Sequence, residues 1–142
     1  MTKTIKGHCL CGGVQFETGK IHHLDACHCA MCQRWTGGPF LGADYRNGEV
    51  TITKDETLSW YASSEWARRG FCNTCGSSLF YRLNGNEDFW AVCAGTLDLS
   101  ADTTISKEIF VDEKPAYYAL SGERPRLTGA EFLASLEGQS DD

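Results

Sequence analysis

Cys27, Cys29 and Cys32 place three thiols within the six residues Cys27-His28-Cys29-Ala30-Met31-Cys32. Thiolates are soft ligands, and three at this spacing point to a metal, zinc first among them. In extended chain, side chains two positions apart share a face, so Cys27 and Cys29 can grip one ion while a turn brings Cys32 round as a third ligand. His28 then faces the other way. A closed structural zinc site has four protein ligands, whereas a catalytic one has three and keeps a position for water or substrate. This cluster supplies three, so Cys27, Cys29 and Cys32 are expected to be a catalytic zinc site.

The pairs Cys9-Leu10-Cys11-Gly12 and Cys72-Asn73-Thr74-Cys75-Gly76 together make a complete set of four thiolates. They are expected to hold one structural zinc. The glycine after each pair suits a knuckle, in which the chain reverses tightly and its N–H groups point at the sulfurs. Cys93 is left over, in the apolar run Phe89-Trp90-Ala91-Val92-Cys93-Ala94, and reads as a buried thiol behaving as a small hydrophobe.

The order of these motifs carries a family resemblance. C-x-C-G at Cys9–Gly12, C-H-C-x-x-C at Cys27–Cys32, R-x-F-C-x-x-C-G-S-x-L at Arg69–Leu79 and G-T-L-D at Gly95–Asp98 resemble the glutathione-dependent formaldehyde-activating enzyme family, which also includes centromere protein V. The resemblance implies a fold of several coiled antiparallel β-sheets around zinc sites. It implies a carbon–sulfur lyase that joins glutathione to formaldehyde as S-(hydroxymethyl)glutathione. Glutathione, or another small thiol, and a small aldehyde are then the expected partners. A carboxylate-bearing thiol needs cationic donors; Arg34 is the first expectation for binding it, with Arg68 or Arg69 behind it, because guanidinium grips carboxylate in bidentate fashion. His28, inside the matching motif, is the best placed of the histidines to support the metal ligands or handle protons. His22 and His23 stand close enough to close the open zinc position, though a solvated or hydrogen-bonded role is the plainer reading, and His8 lies in a turn. Trp35, Trp60 and Trp66 can line a pocket, yet sheet cores use aromatics anyway and core is the expectation.

Positioning these groups falls mostly to strands. Thr4-Ile5-Lys6 leads into the first knuckle and Val14-Gln15-Phe16-Glu17 alternates on the way out. Phe40–Ala43 and Val50–Thr53 flank Asn47-Gly48, a strong hairpin signal. Thr57–Tyr61, Trp66–Phe71 and Ser78–Arg82 follow, then Asn84-Gly85-Asn86 turns the chain into Phe89–Ala94, and Glu108–Val111 and Tyr117–Leu120 bracket Lys114-Pro115. About nine short strands with frequent turns and no long helical period predict an all-β fold. Cys32–Pro39 reads as a short helical turn ended by glycines and proline. A C-terminal helix is expected after the capping box Thr128–Glu131, with Leu127 and Phe132 as a hydrophobic staple and Phe132, Leu133 and Leu136 on its apolar face. Gly138 to Asp142 should fray.

Composition excludes some partners. The 142 residues suit a single zinc-binding domain, and the net charge is −6 with no basic run beyond Arg68-Arg69, so neither nucleic acid nor membrane is expected as a partner. The first seven residues carry charges without an apolar run, and a cytoplasmic location follows as an expectation. Closely spaced C-x-C cysteines in a reducing compartment favour metal over disulfides. Two other readings fit the same residues: a thiol-binding carrier without turnover, and a purely structural zinc module whose Cys27-Cys29-Cys32 site is closed by a fourth ligand.

Overall fold

The computed structural model describes residues 4–46, 48–85 and 89–139. In chain order the strands are β1 (Ile5–His8), β2 (Val14–Thr18), β3 (Leu24–Cys27), β4 (Phe40–Arg46), β5 (Val50–Asp55), β6 (Leu58–Tyr61), β7 (Ala67–Cys72), β8 (Ser78–Leu83), β9 (Phe89–Cys93), β10 (Lys107–Ile109) and β11 (Arg126–Leu127). The helices are α1 (Ala30–Thr36) and α2 (Gly129–Gln139), with single 3-10 turns at Ala94–Thr96 and Val111–Glu113. The protein is mostly β-sheet with a short C-terminal helix, as the alternation predicts. The chain divides into two compact units, one from the described residues of Met1–His23 and Gly42–Thr103, the other from those of Leu24–Leu41 and Thr104–Asp142.

In the first unit β1, β2 and β5 form one antiparallel sheet, and the order β4-β9-β8-β7-β6 forms antiparallel pairs in another. The inward residues of these strands make the core: Val14, Phe16, Tyr45, Leu79, Phe80 and Val92 are essentially inaccessible, and Cys9 and Cys72 are buried among them. Phe80 is the hub, meeting Phe16 edge-on at 4.9 Å and Trp90 edge-on at 5.3 Å. Such aromatic pairs add roughly 0.5–1.5 kcal/mol each beyond the area they bury. Gly7 has to be glycine here, because a Cβ would lie 2.4 Å from the Phe16 ring.

The second unit departs from a purely antiparallel plan. β10 pairs in parallel with both β3 and β11, opposing Ile109 to Cys27 and to Leu127. Parallel pairing needs a long connection, and the stretch between β3 and β10 supplies it. Asn47-Gly48 does not join a hairpin either: β5 pairs with β2, opposing Phe16 to Ile52. The turn chemistry fixes the reversal, but Val50 and Ile52 choose the partner by packing on the core. Asn47 and Asn86 of the two expected turns lie outside the described residues, while Gly48 and Gly85 have φ of +90° and +80°. Tyr117–Leu120 is irregular rather than a strand. Its carbonyls bond to side chains instead of a ladder: Lys114 Nζ donates to Tyr118 O, and Arg126 Nη2 donates to Leu120 O.

The capping box of α2 forms as expected. Thr128 N–H donates to Glu131 Oε1 at 2.8 Å and Glu131 N–H donates to Thr128 Oγ1 at 3.1 Å. Phe132 packs on Phe110, centroids 6.0 Å apart, but Leu133 and Leu136 are 54% and 45% exposed, so the buried face is narrower than the sequence suggests. The fraying expected at Gly138 to Asp142 lies, from residue 140 on, outside the described residues.

Candidate functional site: two thiol clusters

In the first unit, Cys9 and Cys11 leave β1 on one knuckle, and Cys72 ends β7 to begin the other. Each knuckle closes in the same way: Gly12 N–H donates to Cys9 O at 3.2 Å and Gly76 N–H donates to Cys72 O at 2.9 Å. Both glycines need positive φ, +81° and +79°. The four sulfurs lie within 4.8 Å of one another. Cys9 to Cys11 and Cys11 to Cys72 are both 3.7 Å. A tetrahedral ion with metal–sulfur bonds of about 2.3 Å sets its sulfurs about 3.8 Å apart, so the cluster can hold one.

The knuckles also aim donors at sulfur, as zinc thiolates require. Val14 N–H reaches Cys9 Sγ at 3.3 Å, Cys75 N–H reaches Cys72 Sγ at 3.4 Å, and the Thr57 hydroxyl is 3.1 Å from Cys72 Sγ. The Ser77 hydroxyl and backbone N–H hold the Cys75 thiol down at about 5. Cys72 is held below its ordinary value by the Cys75 N–H and then by Thr57. The Gly13 N–H pulls Cys11 down as well, but desolvation and its sulfur neighbours outweigh it and push that thiol up to about 11. Four packed thiols cannot all ionise unaided; a divalent cation reverses the balance.

In the second unit, Cys27 ends β3, Cys29 is the N-cap of α1, and Cys32 lies buried in its first turn. Cys29 Sγ accepts from Cys32 N–H at 3.4 Å, so the helix start itself folds the third thiol back toward the second. Gly37, at φ 85°, ends the helix by donating to Gln33 O at 2.8 Å. The three sulfurs lie within 4.8 Å of one another, and among the described residues no fourth Cys, His, Asp or Glu joins them. Hydrogen bonding to Cys29 and Cys32, reinforced by burial, pushes the Cys27 thiol far up.

His28, between two of these thiols, is fully buried and its ring nitrogens do not join the thiol group. Its Nε2 lies 2.8 Å from Glu108 Oε1, and its Nδ1 lies 2.6 Å from the Tyr118 hydroxyl. Glu108, 1% exposed, takes two guanidiniums on its other oxygen: Arg124 Nη1 at 2.6 Å and Arg126 Nε at 2.9 Å. Burial alone would raise the Glu108 carboxyl; Arg124, His28 and Arg126 overcome that and hold it below the usual carboxylate range.

The cysteine order, the two-cluster geometry and the sheets come together in one comparison. Residues 4–113 match the glutathione-dependent formaldehyde-activating enzymes as a family. The chain belongs to that family. It is 25% identical over 132 residues to an uncharacterized lyase of Schizosaccharomyces pombe, covering 92% of this chain and 96% of that one. A crystal structure of a Rhodobacter sphaeroides protein shares the fold with a TM-score of 0.56 at 23% identity, over 85% of this chain and 98% of that one. Membership of the glutathione-dependent formaldehyde-activating enzymes supports a lyase-type activity.

Other residues singled out in the sequence fall in different places. Arg34 is exposed on α1 and lines a cleft of 240 Å³ with Ala30, Gln33, Gly37 and Tyr117; no cysteine lines it. Arg68 bonds Asn84 Oδ1 at 2.9 Å and lies over Trp60, while Arg69 is buried over Tyr81. His22 pairs with Glu49 at 2.9 Å, and His8 Nδ1 is 2.6 Å from Cys9 O. Trp66 is 58% exposed rather than core, Trp60 stacks on Phe80 at the margin of the core, and Trp35 packs on Phe40. Cys93 is half-buried, outside both clusters, with its thiol raised by desolvation. No helix among the described residues is long and apolar enough to cross a membrane. Glu108, Tyr118, Arg124 and Arg126 escaped sequence reasoning. The one signal was a glutamate in the otherwise apolar run Glu108-Ile109-Phe110-Val111, of which the strand keeps only Glu108 and Ile109 because Phe110 turns left-handed at φ 58°.

Proposed function

We propose that this chain is a zinc-dependent carbon–sulfur lyase, similar to S-(hydroxymethyl)glutathione synthase, acting on the adduct of glutathione or another small thiol with formaldehyde or another small aldehyde. The observation that carries this reading is a three-thiol group, Cys27-Cys29-Cys32, in a chain that also carries a complete four-thiol group. In this reading Cys9, Cys11, Cys72 and Cys75 hold a structural zinc, and Cys27, Cys29 and Cys32 hold a catalytic one. An ion held by three thiolates supplies a Lewis-acidic centre with a position left for a soft ligand.

The chain's own part is placement. The N-cap geometry of Cys29 and the first turn of α1 fold Cys32 back toward Cys29, so that the three thiols would hold such an ion together. Arg34, on the cleft side of α1, offers donors to the carboxylates of a tripeptide thiol, with Gln33 and Tyr117 as walls. The reaction needs little more: the thiolate sulfur bonds to the carbonyl carbon, and the carbonyl oxygen takes the proton that the thiol lost. Holding the two reactants together accounts for the acceleration.

Zinc content measured with and without glutathione, followed by calorimetry against glutathione and a plain small thiol and a screen of aldehydes, tests the proposal. Two zinc ions per chain, tight glutathione binding that weakens in Arg34→Ala, and turnover of one aldehyde are expected. Equal weak binding of both thiols would mean that only the sulfur is read and glutathione is the wrong substrate. No binding of either by the zinc-loaded protein would remove the lyase reading.

A further inference from the structure

We propose that His28 and its partners, the buried Glu108 and the half-buried Tyr118, are positioning residues that set the pitch of the C-x-C ligand pair and couple it to the wall of the cleft on α1. This rests on the reading of Cys27, Cys29 and Cys32 as a metal site. All the polar groups of His28 are engaged. Its N–H donates to Ile109 O at 3.0 Å, its carbonyl accepts from Gln33 Nε2 at 2.7 Å, and its ring bonds Glu108 and Tyr118 on opposite sides. A residue pinned at its backbone and its side chain cannot rotate, so the thiols on either side of it hold their direction.

The same carboxylate reaches further. A glutamate only accepts when ionised, so Nε2 of His28 donates to it, and Nδ1 faces the Tyr118 hydroxyl. On its far oxygen, Glu108 holds Arg124 and Arg126, which donate to the carbonyls of Ser121 at 2.6 Å and Gly122 at 2.7 Å. These clamps fix the segment that follows Tyr117 and Tyr118. Tyr117 lines the cleft with Arg34, and Tyr118 touches His28, so one hydrogen-bond chain anchored on the buried Glu108 ties the cleft wall to the ligand loop. Partners that orient metal ligands are worth about 10–100-fold in metal affinity when removed.

The test uses the full chain loaded with cobalt, whose thiolate absorption reports each equivalent. Wild type should take two equivalents. His28→Ala should weaken the second by about 10–100-fold while leaving the first unchanged, and His28→Gln, which can donate to Glu108 and accept from Tyr118, should recover part of the loss. Tyr118→Phe, which deletes a single oxygen, should weaken the second equivalent less but also lower affinity for a small thiol. A folded His28→Ala that binds the second equivalent as wild type overturns the proposal. Where His28→Ala does not fold, Tyr118→Phe with unchanged metal and thiol affinity overturns it. A wild type that takes only one equivalent instead removes the metal reading beneath it.

Discussion

The two thiol clusters use the same ligand chemistry but are built from different chain separations. In the first unit Cys11 and Cys72 meet across 61 residues, and Cys9 and Cys72 are fully buried in the aromatic core. In the second, all three thiols come from one strand end and the helix after it, and two of them are only half-buried. A link across a long separation removes entropy from the unfolded chain, whereas a link within six residues removes little. That difference is the basis of the proposed division of labour, a first cluster that holds the fold together and a second that substrate reaches.

Substituting one thiol in each cluster tests that contrast most directly. Cys72→Ser should lose the first cluster's metal and a closure worth about 4 kcal/mol in the loop-entropy picture, enough to unfold or severely destabilise a domain of ordinary stability. Thermal unfolding followed by circular dichroism measures it, and a soluble variant melting like wild type would break the comparison. Cys29→Ser should keep the native circular dichroism spectrum while losing the second zinc and all lyase activity. If it unfolds as badly as Cys72→Ser, both clusters are structural.

A subtler difference lies in what stands behind each cluster. The second is backed by a buried carboxylate whose folded-state value is depressed, chiefly by Arg124 and His28 against the opposing effect of burial. Such a group contributes stability fully above the ordinary carboxylate range, about 4.3 for glutamate. That contribution is lost as pH falls through the lower folded value. Glu108→Gln should therefore be less stable than wild type at neutral pH, and the gap should narrow below about pH 4. Denaturant melts of both proteins across that range check it; a gap that stays constant would show that Glu108 acts without its charge.

The smallest effect serves as a control on the others. Thr128→Ala removes the side-chain cap of α2 and should cost about 1 kcal/mol. Both metal equivalents should survive it, measured by zinc content on the same sample. Loss of either would mean that the C-terminal helix supports a cluster, a role its narrow buried face gives no reason to expect.

What the sequence determined by itself was whatever closes within a few residues. The C-x-C and C-x-x-C spacings, the glycines at +81° and +79° that end each knuckle, and the Thr128–Glu131 box all follow from local geometry and were legible in the sequence. Where His28 pointed was another matter. Glu108 and Tyr118 lie 80 and 90 residues further along, and only the parallel register of β3 and β10 brings them to it. The partner of β5 was decided in the same way, by which strand let Ile52 pack beside Phe16. Local rules state what a residue can bond to, but burial is shared among distant segments. The tertiary structure alone selects which of many possible partners is within reach.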